Sequence, residues 1–316
     1  MKTTPPQAPR SSSTTTSAST ADHTDERALV LAGAGAAGNA WELGLVAGLA
    51  DAGVDVTRAD LIIGTSAGST VAAQITSGTA LSALYAALLT EVPRPPVAAA
   101  APRRAPDPQV SGSSYLDWSD AIIAAAQDPS DMRRRLGAAA LERDGSDGAG
   151  TTRWRDIVAA RLPSRHWPEQ RVLIPAVDAH TGEPVVFDRH SGIDLVDAVA
   201  ASTSAMSPYR VGEHRYLNGG YRRSENADLA AGYGRVLVLS PFGGRTRMPL
   251  EWGMDLATQV AELRAARSTV ETVFPDAGAG DVFGANALDP STRLPAARGG
   301  HAQGRALAAS LAEFWR

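Results

Sequence analysis

The sequence predicts an α/β fold: a central, mostly parallel sheet with helices on both faces, three layers in all. Two observations carry that expectation. The apolar runs Ala28-Leu29-Val30-Leu31 and Leu61-Ile62-Ile63 are short, uninterrupted and followed closely by glycine, as strands buried on both sides are. Segments with apolar residues three and four apart follow each run. A strand–helix–strand–helix order within about 60 residues argues for right-handed crossovers between parallel strands.

The elements follow in order. After the first run, Trp41, Leu45, Leu49 and Ala52 mark a helix over 39–52 that stops at Gly53, the residue that tolerates a helix C-terminus best. The run at 61–64 is the second strand, and 67–77 and 81–89 read as helices. Residues 93–112 are too rich in proline for a helix interior or a central strand, so a long surface loop is expected there. Helices are expected at 115–126 and 131–142, with a Gly-rich loop over 144–152. Together, about 93–152 reads as a loop and cap region over whatever the first half presents. Strands return at 172–174 and 185–187, then a helix near 194–201, a strand at 215–217 and a strongly apolar one at 236–239. A helix over 250–267, a strand over 268–274 and a closing helix over about 302–315 complete the chain.

Composition narrows the function. The chain has 316 residues, 44% apolar and 20% charged, within the range of one ordinary large domain. Net charge is −4, from 30 Lys+Arg against 34 Asp+Glu. No global basic field exists to hold nucleic acid. Cysteine is absent, which removes thiol nucleophiles, iron–sulfur clusters and cysteine zinc sites. Lys2 is the sole lysine, so lysine Schiff-base and P-loop chemistry are excluded from the folded part. No apolar run approaches the ~20 residues that span a bilayer. Residues 1–26 are Ser, Thr, Pro and Ala without an apolar segment; they read as a disordered tail rather than an export signal, and the expected location is cytoplasmic. The domain proper is expected over 27–316.

Two glycine motifs hold the chemistry. Gly33-Ala34-Gly35-Ala36-Ala37-Gly38 matches the dinucleotide fingerprint G-x-G-x-x-G, but that reading needs a carboxylate at the end of the second strand to hold the ribose. The strand ends in Ile63-Gly64-Thr65, and Asp55 and Asp60 precede it. Gly64-Thr65-Ser66-Ala67-Gly68 fits G-x-S-x-G placed between a strand and a helix. There a sharp turn presents a strained serine and the flanking glycines remove clashing side chains. The plainer alternative is Ser66 as a helix N-cap. Both motifs are strand-end loops at one edge of a parallel sheet, so the small-residue loop Gly33–Gly38 can present amides to an oxyanion beside Ser66.

A base is needed beside a nucleophilic serine. Of the six histidines, His23, His166, His180, His190, His214 and His301, only His301 is placed like the late histidine of an ordinary α/β-hydrolase. No H-x-x-x-H spacing appears, so no metal or organic cofactor is expected. Asn218-Gly219 by itself is a favoured turn pair.

The order strand, glycine loop, helix, strand, Gly-Thr-Ser-Ala-Gly, followed by Tyr216-Leu217-Asn218-Gly219-Gly220, resembles the patatin-like phospholipases from Arg27 to about Ser240. The resemblance implies a three-layer patatin-like fold and a Ser–Asp dyad without histidine. Ser66 would be the nucleophile in an elbow bounded by Gly64 and Gly68, with Gly33, Ala34, Gly35 and Gly38 as the oxyanion loop. The dyad aspartate would fall in the turn before Gly219 and Gly220, where this chain has Asn218. An amide cannot take the serine proton at neutral pH, so the expected activity, hydrolysis of a lipid or other acyl ester through a Ser66 acyl-enzyme, is impaired. Asp228 is a structural residue or a substitute carboxylate. The alternatives are a catalytically silent lipid- or acyl-binding protein and a Ser–His–Asp hydrolase using His301. Arg103-Arg104 and Arg133–Arg135 would make transient contact with a membrane surface or simply be solvated.

Overall fold

A computed structural model describes residues 24–90, 112–144, 148–284 and 286–316. The tail before Thr24, the Pro-rich loop over 93–111 and the Arg103-Arg104 pair lie outside the described residues.

Eight strands among the described residues form one mixed sheet, mostly parallel. They are β1 (Thr24–Leu31), β2 (Leu61–Gly64), β3 (Arg171–Asp178), β4 (Pro184–Phe187), β5 (Tyr209–Val211), β6 (His214–Asn218), β7 (Tyr233–Leu239) and β8 (Thr269–Val273). The order is β5-β6-β3-β2-β1-β7-β8, with β4 also on β3. Strands β3, β2, β1, β7 and β8 run parallel, whereas β4, β5 and β6 are antiparallel additions. The first half of β3, Arg171–Leu173, pairs with β2. Its second half continues past the end of β2 and pairs with β4 and β6, with Ala176 opposite Asn218.

The helices are α1 (Gly35–Asp51), α2 (Ala67–Ile75), α3 (Leu81–Thr90), α4 (Gly112–Ala125), α5 (Pro129–Leu141), α6 (Ala149–Ala159), α7 (Leu195–Ser202), α8 (Leu256–Ala265) and α9 (Arg293–Trp315). Because successive strand residues face opposite sides, each parallel strand feeds two cores. Leu29, Leu31, Ile62, Leu237 and Leu239 pack with residues of α1, α2, α3, α7 and α9. Ala28, Val30, Leu61, Ile63, Val236 and Val238 pack with Leu256, Val260 and Leu263 of α8. Helices α4 and α5 cover the antiparallel end, where Ile123, Met132 and Leu136 meet Val177 and Leu217.

Helix α1 is buried at every position from Ala37 to Leu49, which only a helix between a sheet and another helix can be. Its outer neighbour is α9, and the two approach through backbone. A Cβ on Gly44 or Gly48 would enter the backbone of Ala297 or His301, and one on Gly300 or Gly304 that of Trp41 or Leu45.

That contact explains one departure from the sequence reading. Helix α9 begins at Arg293, not near 302, because Gly299-Gly300 is a packing surface and not a break. The expected helix over 250–267 is a single-turn 3-10 helix, Leu250–Trp252, followed by α8. Gly253 turns left-handed between them (φ 62°), and Asp255 caps α8 by accepting from the Thr258 amide at 2.9 Å. Helix α6 begins inside the expected loop over 144–152. Strand β5 has no apolar run to announce it; it exists by pairing with β6. Residues 24–26, read as tail, are the start of β1, held where the Arg27 amide donates to Asp60 at 2.7 Å.

Arg133, Arg134 and Arg135 lie on α5 with partners of their own: the Gly182 carbonyl, Ser130 and Asp131. Among the described residues, no helix is long and apolar enough to cross a membrane.

Candidate active site

Ser66 leaves β2 on a sharp turn into α2 with φ 52° and ψ −120°, a conformation that costs a non-glycine residue on the order of 1–3 kcal/mol. Besides Ser66, the non-glycine residues with positive φ among those described are Asn226 and Arg267. The turn closes through backbone. Gly64 lies against the Cα of Ser69 and Gly68 against the Leu31 carbonyl, so neither position has room for a side chain. The Ser66 amide donates to Ser202 Oγ at 3.0 Å, and the Ser66 carbonyl accepts from Ser69 Oγ at 2.6 Å.

The glycine loop comes directly against this serine. A Cβ on Gly33 would fall 2.8 Å from Ser66 Cβ and 3.4 Å from Ser66 Oγ. The amides of Gly33 and Ala34 donate to no acceptor among the described residues. Helices α1 and α2 both start here with neither a side-chain cap nor an acidic residue in the first turn, so both positive dipole ends are left without a local counter-charge. Gly38 departs from the expected loop. Its amide donates within α1 to the Ala34 carbonyl at 2.9 Å, and its Cα packs against Ala34 and Pro241. It is a packing residue and has no proton to offer. The Ala37 amide is also engaged, donating to the Ala287 carbonyl at 3.0 Å, and the Leu288 side chain lies over Gly35.

The antiparallel end brings Asn218 to Ser66. Asn218 Nδ2 donates to Ser66 Oγ at 3.0 Å and to the Ser204 carbonyl at 3.1 Å, while its Oδ1 accepts from the Gly220 amide at 2.9 Å. The neighbours fix this orientation: a carbonyl can only accept and an amide N–H can only donate. Asn218 therefore donates a hydrogen bond to the Ser66 oxygen and cannot take the serine proton. Gly219 sits where a Cβ would run into the Pro175 carbonyl, and Gly220 is the residue whose amide the Asn218 side chain caps.

The other candidate bases lie elsewhere. His301 is on α9, its Nε2 2.8 Å from Asp51 at the far end of α1, with its ring stacked on Tyr85. Sixteen residues of helix separate Asp51 from Gly35, about 24 Å along the axis, so the Ser–His–Asp arrangement is not formed. His214 starts β6, exposed, 3.9 Å from Asp178. Asp228 is held by Arg222 through two hydrogen bonds, 2.9 and 2.7 Å. No group of three His, Asp or Glu side chains able to hold a metal is present among the described residues.

The sequence assigns no role to Ser202 or Ser204, and Glu225 and Asn226 enter it only as part of the 223–228 stretch that follows the Asn218 turn in the resemblance. Glu225 is buried, and its carboxyl accepts from Ser240 Oγ at 2.9 Å while its other oxygen has no partner. Burial pushes it up to about 7, against a smaller lowering from the Ser240 hydroxyl. Glu42 on α1 is fully buried, and burial raises it well above the usual carboxylate range, against a smaller lowering from the Ala32 amide. In the sequence, Ser202 and Glu42 stand as polar residues inside apolar runs, whereas Glu225 and Asn226 lie in the polar stretch 222–228 and carry no such signal.

No protein-family model matches the chain, and no curated protein does. Among solved structures, it is similar to the type III effector protein ExoU at 15% identity and a TM-score of 0.32, over 89% of this chain and 54% of that one. The chain thus spans about half the length of that protein.

Proposed function

We propose that this chain carries a serine acyl-transfer site of the patatin-like type, acting on a lipid or other acyl ester and turning over slowly because no base adjoins the serine. The observation that supports this most is the strained Ser66 turn packed directly against Gly33, with the Gly33 and Ala34 amides unoccupied beside it. Ser66 Oγ would attack the ester carbonyl carbon and lose its proton to solvent, the two amides would take the developing oxyanion, and the leaving alkoxide would depart with a proton drawn from solvent. Water would then cleave the acyl-enzyme and restore the hydroxyl.

Asn218 shapes the rate. By donating to Ser66 Oγ it stabilises a partial negative charge there and aligns the oxygen, but the serine proton must leave by way of solvent. A positioned general base is worth about 10² to 10⁴ in rate, and that factor is what the site lacks. The same arrangement favours a second reading, retention of an acyl ligand without hydrolysis, since the Ser66 hydroxyl and two backbone amides offer hydrogens to a carbonyl or carboxylate.

A fluorophosphonate probe and a short-chain p-nitrophenyl ester decide between them. The hydrolase reading expects covalent label on Ser66 and slow ester turnover lost in Ser66→Ala. Label elsewhere, or turnover unchanged in Ser66→Ala, would overturn it. Ester binding without label or turnover would support the ligand-binding reading.

A further inference from the structure

Ser66 and Asn218 lie on strands that are not neighbours. Strand β2 and strand β6 each bond to β3 and not to one another, so backbone ladders connect them only through β3 and no direct ladder closes the gap between their ends. One buried amide spans that gap. Asn226 Nδ2 lies 3.0 Å from Thr65 Oγ1, 3.1 Å from the Gly219 carbonyl and 3.0 Å from the Arg223 carbonyl. Thr65 immediately precedes Ser66, and Gly219 immediately follows Asn218.

We propose that Asn226 is a positioning residue that fixes the separation of the Ser66 elbow and the Asn218 turn by bonding Thr65 and Gly219 with one side-chain amide. The proposal rests on the reading of Ser66 as nucleophile. Three features support a dedicated role. Asn226 is fully buried and held in the left-handed region at φ 60° and ψ 30°, a conformation that asparagine tolerates better than most residues. Its Oδ1 is fixed by Arg222 Nη1 at 2.8 Å, and Arg222 is itself held by Asp228, so the amide cannot flip. Thr65 completes the link: while accepting from Asn226 it donates to the Glu225 carbonyl at 3.2 Å, so its hydroxyl is used in both directions. Asp228 thus acts at a distance, as the anchor of the arginine that orients Asn226. An interatomic error of about 1 Å at a reacting centre can cost on the order of 10² in rate, which is the scale expected when this link is cut.

The test uses Asn226→Gly, which keeps the left-handed backbone and removes the amide, alongside Thr65→Val and Thr65→Ser. Ester turnover, the maximal rate of fluorophosphonate labelling and the melting temperature are measured for each folded protein. The proposal expects Asn226→Gly and Thr65→Val each to lower kcat and the maximal labelling rate by about 30- to 100-fold with KM within about twofold. Thr65→Ser, which keeps the hydroxyl, should stay within about threefold of the parent. The double variant should be no slower than the slower single one, because both changes cut one link. A folded Asn226→Gly with kcat within threefold of the parent overturns the proposal, as does a loss that appears in KM alone. Failure of the underlying reading looks different: parent and Ser66→Ala then behave alike in turnover and label, and the positioning proposal falls with it. If Asn226→Gly does not fold, the Thr65 pair decides, and equal rates in Thr65→Val and Thr65→Ser refute the link.

Discussion

The glycines of α1 and α9 and the glycines around Ser66 both bring backbone against backbone, for different ends. At the helix crossing, Gly44 and Gly48 face the backbone of Ala297 and His301, and Gly300 and Gly304 that of Trp41 and Leu45. The close approach there yields dispersion and apolar burial, and every amide is satisfied inside its own helix. At the site, Gly33 meets Ser66 with the neighbouring amides left unpaired and with a strained serine. One contact stabilises the fold, and the other maintains donors that the fold does not use. Function is to be sought where close packing comes without satisfied polar groups.

The largest expected effect separates the two. Gly48→Leu would drive four heavy atoms into the His301 backbone, and since even one-methylene overpacking costs 1–3 kcal/mol, a loss above about 3 kcal/mol or outright failure to fold is expected by chemical denaturation. A Gly48→Leu protein with parental stability would mean that the helices can slide apart. Gly33→Val should do the reverse. Its side chain would collide with Ser66 Cβ and crowd the oxyanion position, so turnover should fall by about 10² to 10³, the usual cost of a lost hole donor, with the circular dichroism spectrum unchanged. Retained turnover in Gly33→Val would place the hole elsewhere.

A third effect is on stability and depends on pH. The Glu225 carboxyl titrates at about 7 in the folded chain because of burial, against about 4.3 when unfolded. Between those values the folded state holds the proton and the unfolded state does not. Its stabilising contribution is therefore full below about pH 4.3, declines as pH rises and is gone above about 7. The total is at most about 4 kcal/mol. Glu225→Gln should flatten this part of the melting-temperature profile and leave a residual slope of the same sign from Glu42, whose carboxyl is also raised by burial. A parent profile rising from pH 5 to 7 would contradict the assignment.

The parallel half of the sheet was readable because double burial leaves uninterrupted apolar runs, as at 28–31, 61–63 and 236–239. The elbow and the glycine loop were readable for the same reason, since each follows directly on such a run. The antiparallel half was harder. Strand β5 is three residues with one fully buried side chain, and its pairing comes from the neighbour and not from its own pattern. Asn218 was located by resemblance, but the sense of its hydrogen bond depends on Ser204, fourteen residues away, and on the Gly220 amide. No local pattern encodes that. Gly38 was misplaced in the opposite way: the motif counts it with the loop, although α1 has already begun at Gly35.

The finest comparison within the site is between the amide at position 218 and the carboxylate that would replace it. In Asn218→Asp, one oxygen can accept from the Gly220 amide, but the other faces the Ser204 carbonyl that now accepts from Nδ2. Two oxygens in that position repel unless a proton lies between them, so the acid form is favoured and its pKa rises above the ordinary aspartate range. A raised pKa places the variant's best stability at low pH, lost as pH climbs through the folded value. Its activity moves the opposite way, since only the carboxylate can accept the Ser66 proton. The gain over the parent should therefore be about tenfold at pH 7 and approach 10² by pH 9, short of the full range of a well-placed base. Melting temperature and ester turnover recorded on the same samples from pH 5 to 9 should cross. A variant faster by 10³ at pH 6 with an unchanged stability profile would mean that the Ser204 carbonyl turns aside when the charge appears, and that the site accommodates aspartate as readily as asparagine.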